Sequence, residues 1–148
     1  MGMPGKSSYR DLRIWKEAVD LALAVYRETA SFPKHELYGL SSQMRRAAVS
    51  IPSNIAEGKG HSSDGDLRRF LFHARGSLLE LQTQILIATG LGYLTGPRAE
   101  HLTHAADTLG RGLNGLIQSV RAPGPSRALA NSERRTTNSE TTNSVTPI

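Results

Sequence analysis

The chain has 148 residues, a length that allows one folded domain and, at most, a tail. It contains no cysteine, which excludes a disulfide framework, zinc–thiolate sites and thiol catalysis and fits a reducing cytoplasm. Eighteen Lys and Arg against 13 Asp and Glu give a net charge of +5, which permits association with nucleic acid without establishing it. No apolar run approaches the length of a membrane span, and the N-terminus shows no apolar signal region.

The first predicted helix, residues 9 to 29, follows a polar lead-in of residues 1 to 8 that we expect to be flexible. Two apolar rows run along this helix. The first row repeats at steps of three and four: Leu12, Trp15, Val19, Ala22 and Tyr26. The second row lies beside it: Ile14, Ala18, Leu21 and Val25. Such a helix has more to bury than one small bundle covers, so we predict a subunit interface that covers Ile14, Leu21 and Val25.

The second predicted helix, QMRRAAVSIPSNIAEGKG, runs from Gln43 to Gly60 and carries a proline in its middle. Its apolar side holds Met44, Ala47, Ile51 and Ile55. Pro52 removes an amide donor and collides with the preceding turn, at a cost of about 3 kcal/mol or a kink. We therefore predict a bent helix in which nearby polar side chains satisfy the carbonyl of Ala48, with three candidates: Ser50, Ser53 and Asn54.

Two further helices complete the predicted fold. Ser62 or Ser63 can cap the third helix, whose apolar row is the most regular in the chain: Leu67, Leu71, Ala74, Leu78, Leu81, Ile85 and Ala88. A second row of the third helix, Arg68, Arg75, Gln82 and Thr89, should face water. Gly96-Pro97 opens the fourth helix. The prediction is an all-α, up-down four-helix bundle over residues 9 to 122, followed by a disordered Ser/Thr/Asn-rich tail over 123 to 148.

A polar row lies beside the apolar side of the second helix: Gln43, Arg46, Ser50, Asn54 and Glu57. These residues either hydrogen-bond across helices, meeting Glu80 or Thr83 of the third helix, or line a ligand or RNA site. We favour the structural interpretation, because buried polar groups need partners. It predicts that Asn54→Ala or Glu57→Ala lowers the melting temperature or breaks the oligomer.

Basic residues concentrate around the turn between the second and third helices: Arg45, Arg46, Lys59, His61, Arg68, Arg69 and Arg75. One interpretation is a solvated face with local ion pairs, as most runs of charge are. The other is a phosphate-binding patch that an oligomer would multiply.

Three blocks of the sequence resemble a known family: YRDLRIWKEAVDLALAVY, FPKHELYGLSSQMRRAAVSIPSNIAEGKG and FLFHARGSLLELQTQILIATGLGYL. They are similar to the bacterial 23S rRNA-intervening-sequence proteins, over about residues 9 to 94. The resemblance implies a small bundle that assembles into a ring, a pentamer. Some members of the family are encoded inside insertions in ribosomal RNA genes. The family is also similar in fold to the accessory protein of diversity-generating retroelements, a basic pentamer that binds a reverse transcriptase and nucleic acid.

Enzymatic and metal chemistry find little support. The active motif of HEPN ribonucleases resembles two stretches of this chain, Arg68-x4-His73 and Arg98-x5-His104. In that motif the arginine stabilises phosphate charge and the histidine transfers a proton. For His73, a hydrogen-bonded histidine in the core is the simpler interpretation. His101 and His104 supply two ligands, too few for a metal site. The sequence therefore predicts no enzyme, cofactor or metal. It favours a cytoplasmic homo-oligomer that engages RNA or a nucleoprotein, with a purely structural assembly protein and a HEPN-like ribonuclease as alternatives.

Overall fold

A computed structural model describes residues 6–61 and 63–120. The predicted tail, residues 123 to 148, and residues 1–5 of the predicted lead-in lie outside the described residues. The four helices are α1 (Lys6–Thr29), α2 (Leu40–Gly60), α3 (Asp64–Gly90) and α4 (Gly96–Ser119), with a single 3-10 turn at Lys34–Glu36 before α2. The described residues contain no strand, and the predicted all-α four-helix bundle is confirmed.

The helices pack in the order α1–α2–α3–α4 around one core, with α4 returning to α1. Among the described residues, no Cα atom of α1 lies within 8 Å of a Cα atom of α3, and the same holds for α2 and α4. This arrangement leaves each helix with one side in the core and one side on the surface of the bundle. None of the described helices has the length and hydropathy needed to cross a membrane.

Local sequence signals place the helix ends. Helix α1 begins at Lys6, three residues before the predicted start, because apolar periodicity reports only the packed turns of a helix. Ser63 caps α3, its hydroxyl accepting a hydrogen bond from the amide of Asp66 at 3.1 Å. Gly92, with φ of 77°, follows the end of α3, and Pro97 lies in the first turn of α4.

The core confirms the predicted inner sides of α2 and α3. Met44, Ile51 and Ile55 are fully buried, and the regular row of α3 is buried from Leu71 onward. Helix α2 remains helical through the buried Pro52. Among the described residues, none of the three candidates hydrogen-bonds to the carbonyl of Ala48: Ser53 donates to the carbonyl of Val49 at 2.8 Å, Asn54 donates to that of Ser50, and the Ser50 hydroxyl pairs with that of Ser77.

In helix α1, the apolar row that stays exposed is not the one we expected a second subunit to cover. Ile14, Leu21 and Val25 are buried within the single bundle, so they need no second subunit to cover them. Most of the other row lies on the outside: Leu12 is 53% exposed and Trp15 is 37% exposed, whereas Ala22 of the same row is buried. Both rows have helical spacing, and the positions of α2 and α4 decide which one enters the core.

Candidate functional site

The structure divides the predicted basic cluster between two ends of the bundle. Arg45 and Arg46 lie in the second turn of α2, and Lys59 lies in its last turn. Lys59 is 14 positions after Arg45 in the helix, so at 1.5 Å per residue they are separated by roughly 21 Å along its axis. The remaining members lie near the α2–α3 turn or along the first three turns of α3: His61, Arg68, Arg69 and Arg75. These seven residues do not form one patch within a single bundle.

Lys59 is committed to an ion pair inside the bundle. Its Nζ contacts Oδ2 of Asp11 on α1, and the Asp11 side chain is only 4% exposed. A buried carboxylate is stabilised only when a cation or hydrogen-bond donors accompany it. Lys59 therefore has a structural role: its ion pair with Asp11 joins the end of α2 to the first turns of α1.

Arg68 holds the end of α4. Its Nη1 donates hydrogen bonds to the carbonyls of Ile117 at 2.8 Å and Val120 at 3.2 Å. The last carbonyls of a helix have no partner within the helix, and a cation there also complements the helix dipole. Two members of the row predicted to face water therefore contact α4 instead: Arg68, and Gln82, which donates to Asp107 of α4 at 3.0 Å. Thr89, the last member of the row, is exposed as predicted.

Arg45 joins α2 to the end of α1. Its Nε donates to the hydroxyl of Thr29 at 2.9 Å, and its guanidinium lies 4.8 Å from the centroid of the Tyr26 ring. Thr29 in turn donates to the carbonyl of Val25. These contacts give Arg45 a structural role at the end of the bundle opposite Lys59.

His61 and Arg69 are exposed at the α2–α3 turn, as is Lys59, but unlike Lys59 they have no buried carboxylate as a partner. Both lie near one carboxylate, that of Asp66, at 3.7 Å from His61 and 3.6 Å from Arg69. Both also pack on Phe70: the His61 ring stacks at 5.0 Å, and the Arg69 guanidinium lies at 4.8 Å. Because exposed ion pairs contribute at most about 1 kcal/mol, a phosphate group could replace Asp66 as their partner.

Arg46 and Arg75 lie on two other faces. Arg46 is exposed and borders the groove between α2 and α3, together with Gln43 and Glu80. Arg75 lies at the α3–α4 groove, with its guanidinium 4.8 Å from the centroid of the Phe72 ring. Within residues 6–61 and 63–120, neither guanidinium has a carboxylate within 4.0 Å.

The predicted polar row of α2 forms a smaller network than expected. Ser50 and Ser77 are joined through their hydroxyls at 2.9 Å, and Asn54 donates to the Ser50 carbonyl at 2.8 Å and hydroxyl at 3.0 Å. The partner on α3 is thus Ser77, where we expected Glu80 or Thr83. Glu80 accepts a hydrogen bond from Gln84 of its own helix. Glu57 is exposed on the outer side of α2.

The ribonuclease motif finds no geometric support. Arg68 points toward α4, whereas His73 is exposed and lies edge-on to Phe70 at 6.1 Å, so it is not the core histidine we expected. In the second match, Arg98 contacts Glu28 and donates to Ser31 at 2.8 Å, while His104 is exposed. Across the described chain, no three His, Asp or Glu side chains converge as metal ligands would.

Two apolar faces remain uncovered on the bundle. The α1/α2 face consists of the outer row of α1 with neighbouring residues of α2: Leu12, Trp15, Val19, Leu23, Tyr26, Val49 and Ala56. The α3 ridge consists of residues spaced by seven: Phe72, Leu79 and Leu86, of which Leu86 is 70% exposed. Gly76 lies beside the ridge with no atom within 4 Å of the place its Cβ would occupy.

Sequence reasoning missed the α3 ridge and Asp11, although both left a signal. The ridge repeats every seven residues beside the buried row of α3. Asp11 lies seven residues before Ala18 and four before Trp15, so its spacing placed it on the side of α1 that meets α2. A charged residue at such a position indicates a buried ion pair.

Comparison with known proteins agrees with the sequence resemblance. The model of the family described as 23S rRNA-intervening sequence protein matches residues 10–115. The chain belongs to this family. A solved structure from Bacteroides thetaiotaomicron, of a protein of unknown function from the S23 ribosomal protein family, superposes with a TM-score of 0.69. It shares 18% identity and covers 74% of this chain and 99% of its own, so it supports the fold alone. No curated protein matches.

Proposed function

We propose that this family member is a non-enzymatic, self-assembling binding protein whose assembled copies present basic surface to RNA or a nucleoprotein. The observation that carries the proposal is the pair of uncovered apolar faces. The α1/α2 face and the α3 ridge expose at least six large apolar side chains in two continuous rows. Soluble monomers rarely leave contiguous apolar patches of this kind, and such patches mark interaction sites.

The placement of the two faces favours a closed ring. Most of the α1/α2 face lies on α1, which is diagonal to α3 in the bundle, so one copy does not bring the two surfaces together. Contact between two different patches is heterologous, and it generates a ring when the rotation between copies closes. The family resemblance suggests five copies, and we place the protein in the cytoplasm, in keeping with its lack of cysteine.

We assign phosphate contact to exposed basic residues that have neither a buried carboxylate partner nor a hydrogen bond to another helix. His61, Arg69 and Arg46 are exposed, whereas Arg45, Lys59 and Arg68 are engaged within the bundle. A ring would repeat these three residues in every copy, and repeated weak phosphate contacts sum to measurable affinity. The contacts of Arg45, Lys59 and Arg68 within the bundle favour the rival proposal, an assembly protein without a nucleic-acid role, because these residues have a structural purpose of their own.

Light scattering and RNA binding measured together test the proposal. We expect an oligomer that binds labelled RNA with an affinity that falls steeply as salt rises. Replacing Arg46 and Arg69 by Gln should weaken binding and lower the salt slope by about 1 for each phosphate group that the variant no longer neutralises. The matched control replaces Arg13 and Arg27 of α1, which removes the same charge elsewhere.

The outcomes separate the candidate functions. Equal loss of affinity in both double variants would mean that net charge alone attracts RNA, which refutes the assigned surface. An oligomer without RNA binding would leave the structural assembly protein. Cleavage of labelled RNA that His73→Ala abolishes would establish the ribonuclease alternative and overturn the non-enzymatic proposal.

A further inference from the structure

A groove between α3 and α4 is lined by two arginines that have no acidic partner. Its volume is about 380 Å³, and Arg75 of α3 and Arg111 of α4 both line it. In the part of the chain that the structure describes, neither guanidinium has a carboxylate within 4.0 Å. Arg111 donates to the hydroxyl of Thr108 on its own helix at 3.3 Å. A guanidinium has five N–H donors, so both arginines keep donors for an anion from outside the bundle.

Local packing holds Arg75 in place beside this groove. Its guanidinium lies 4.8 Å from the centroid of the Phe72 ring, and a stacked arginine keeps the N–H edge of its plane for a second partner. Leu78, one turn after Arg75, lies 3.5 Å from the place that a Cβ of Gly110 would occupy. Gly110 directly precedes Arg111, so the two arginines lie within about one turn of each other along the bundle.

A third arginine reaches the same part of α4 from the side of α1. A Cβ added at Gly115 would collide with Nη2 of Arg10, so the guanidinium of Arg10 lies against the backbone of α4. Gly115 is one turn after Arg111, and Arg10 also has no carboxylate within 4.0 Å among residues 6–61 and 63–120. Three helices therefore bring one arginine each to the outer side of α4. We call Arg10, Arg75 and Arg111 the α4 arginine band.

The composition around the band matches phosphate groups better than unpaired bases. Asn114 adds an amide donor to the groove. Helix α4 contains no Phe, Tyr or Trp on which a base could stack, and the Phe72 ring already packs against the guanidinium groups of Arg75 and Arg68. Single-stranded RNA is held largely by stacking its bases on aromatic side chains, whereas duplex RNA is recognised through its phosphates and 2′-hydroxyls. The partner chemistry that fits this surface is a base-paired RNA segment.

We propose that the α4 arginine band is a second RNA-contact surface, which binds the phosphate backbone of duplex RNA. The inference rests on the proposed RNA binding and adds a surface to the one assigned to His61, Arg69 and Arg46. Helix α4 contributes no residue to the α1/α2 face or to the α3 ridge, so assembly through those surfaces does not cover its outer side. A ring would present the band once in every copy, and the contacts would add up along one duplex.

Binding of duplex and single-stranded RNA of the same length tests the proposal. We would compare the wild type with a variant that carries Arg75→Gln and Arg111→Gln, and with the control that replaces Arg13 and Arg27. The wild type should bind the duplex more tightly than the single strand. The Arg75/Arg111 variant should lower the salt slope for the duplex by about 2, one for each lost phosphate contact, and the control should keep the wild-type slope.

A substitution at Gly115 tests the band without changing the net charge. In Gly115→Ala the added methyl group displaces the guanidinium of Arg10, while alanine favours the helix, so the fold should persist. Both Gly115→Ala and Arg10→Gln should weaken duplex binding, and Arg10→Gln should lower the salt slope by about 1. Gly90→Ala is the matched control, because no atom lies within 4 Å of the place its Cβ would occupy. Equal duplex affinity of the two alanine variants would overturn the role of Arg10.

The carboxylate in the groove gives a test of opposite sign. Asp107 lines the groove and accepts a hydrogen bond from Gln82 at 3.0 Å, so it stands close to the proposed phosphate contacts. Asp107→Asn should tighten duplex binding more than Asp20→Asn, which removes the same charge from an exposed position of α1. Equal effects of the two substitutions would contradict a duplex that contacts this groove.

The remaining outcomes separate this proposal from the function on which it rests. If RNA binds and the Arg75/Arg111 variant behaves as the control does, the band is wrong while the proposed RNA binding stands. Tighter binding of the single strand would overturn the duplex as the partner. Competition by polyglutamate as effective as that by unlabelled duplex of equal charge would show a surface for any polyanion and would refute the proposal. If the wild type binds no RNA, both proposals fail.

Discussion

Two glycines in helix interiors offer a sharp test of the bundle's packing. At Gly58, near the end of α2, a Cβ would lie 2.9 Å from Cβ of Phe70 and 3.1 Å from Cδ1 of Leu67. The Cβ of Phe70 is fixed to the α3 backbone, so α2 and α3 would have to separate. At Gly110 of α4, the nearest atom is Cδ2 of Leu78 at 3.5 Å, an ordinary contact.

The two alanine substitutions share one favourable effect and differ in one unfavourable effect. Each gains up to about 1 kcal/mol of helix propensity. Only Gly58→Ala adds an overpacking cost, typically about 1–3 kcal/mol. Gly58→Ala should therefore be less stable than Gly110→Ala by about 1–3 kcal/mol, and Gly110→Ala should equal or exceed the wild type.

Urea unfolding followed by circular dichroism measures this difference at a fixed protein concentration. For a bundle of this size, 1 kcal/mol corresponds to a change of roughly 4 °C in melting temperature, so thermal unfolding provides a check. Equal stability of the two alanine variants would show that α2 and α3 are not as close at Gly58 as the structure has them.

Three further substitutions follow from the side-chain contacts. Lys59→Met should lower the free energy of unfolding, measured in urea, by about 1–3 kcal/mol, because it leaves the Asp11 carboxylate buried without its cation. Adding Asp11→Asn should restore part of that stability. Arg68→Gln should destabilise the bundle by about 1–2 kcal/mol and speed amide exchange in the last turn of α4; unchanged exchange would contradict the cap. Asn54→Ala should cost about 1 kcal/mol and Glu57→Ala less than about 0.5 kcal/mol; the reverse order of melting temperatures would refute the Ser50 network.

Local sequence signals sufficed for most of the secondary structure. Ser63, Gly92 and Pro97 act through hydrogen bonds and backbone angles within a few residues, so their effects are legible without knowing the fold. The apolar row of α3 is regular enough that only one side of that helix could enter a core. These features, with the family resemblance, predicted the four-helix bundle that the structure confirms.

The candidate site was harder to predict, because its decisive contacts join residues far apart in the chain. Spacing indicates that Asp11 lies on the inner side of α1 but does not identify Lys59 as its partner. It also does not predict that Arg68 reaches the carbonyl of Ile117. A run of basic residues looked like one surface because they are close in sequence. In the bundle, helix length separates Arg45 from Lys59, and most of the charges acquire partners.

Apolar periodicity was enough to show that this chain forms four amphipathic helices and that α1 is apolar around much of its circumference. The packing of the helices then fixes which part of that apolar surface stays exposed. Ile14 and Trp15 have equivalent helical spacing, and the choice between their rows depends on where α2 and α4 pack against α1. Periodicity is a property of one helix, whereas burial depends on the neighbouring helices. The sequence therefore shows that α1 has an excess of apolar residues but not which of them face outward.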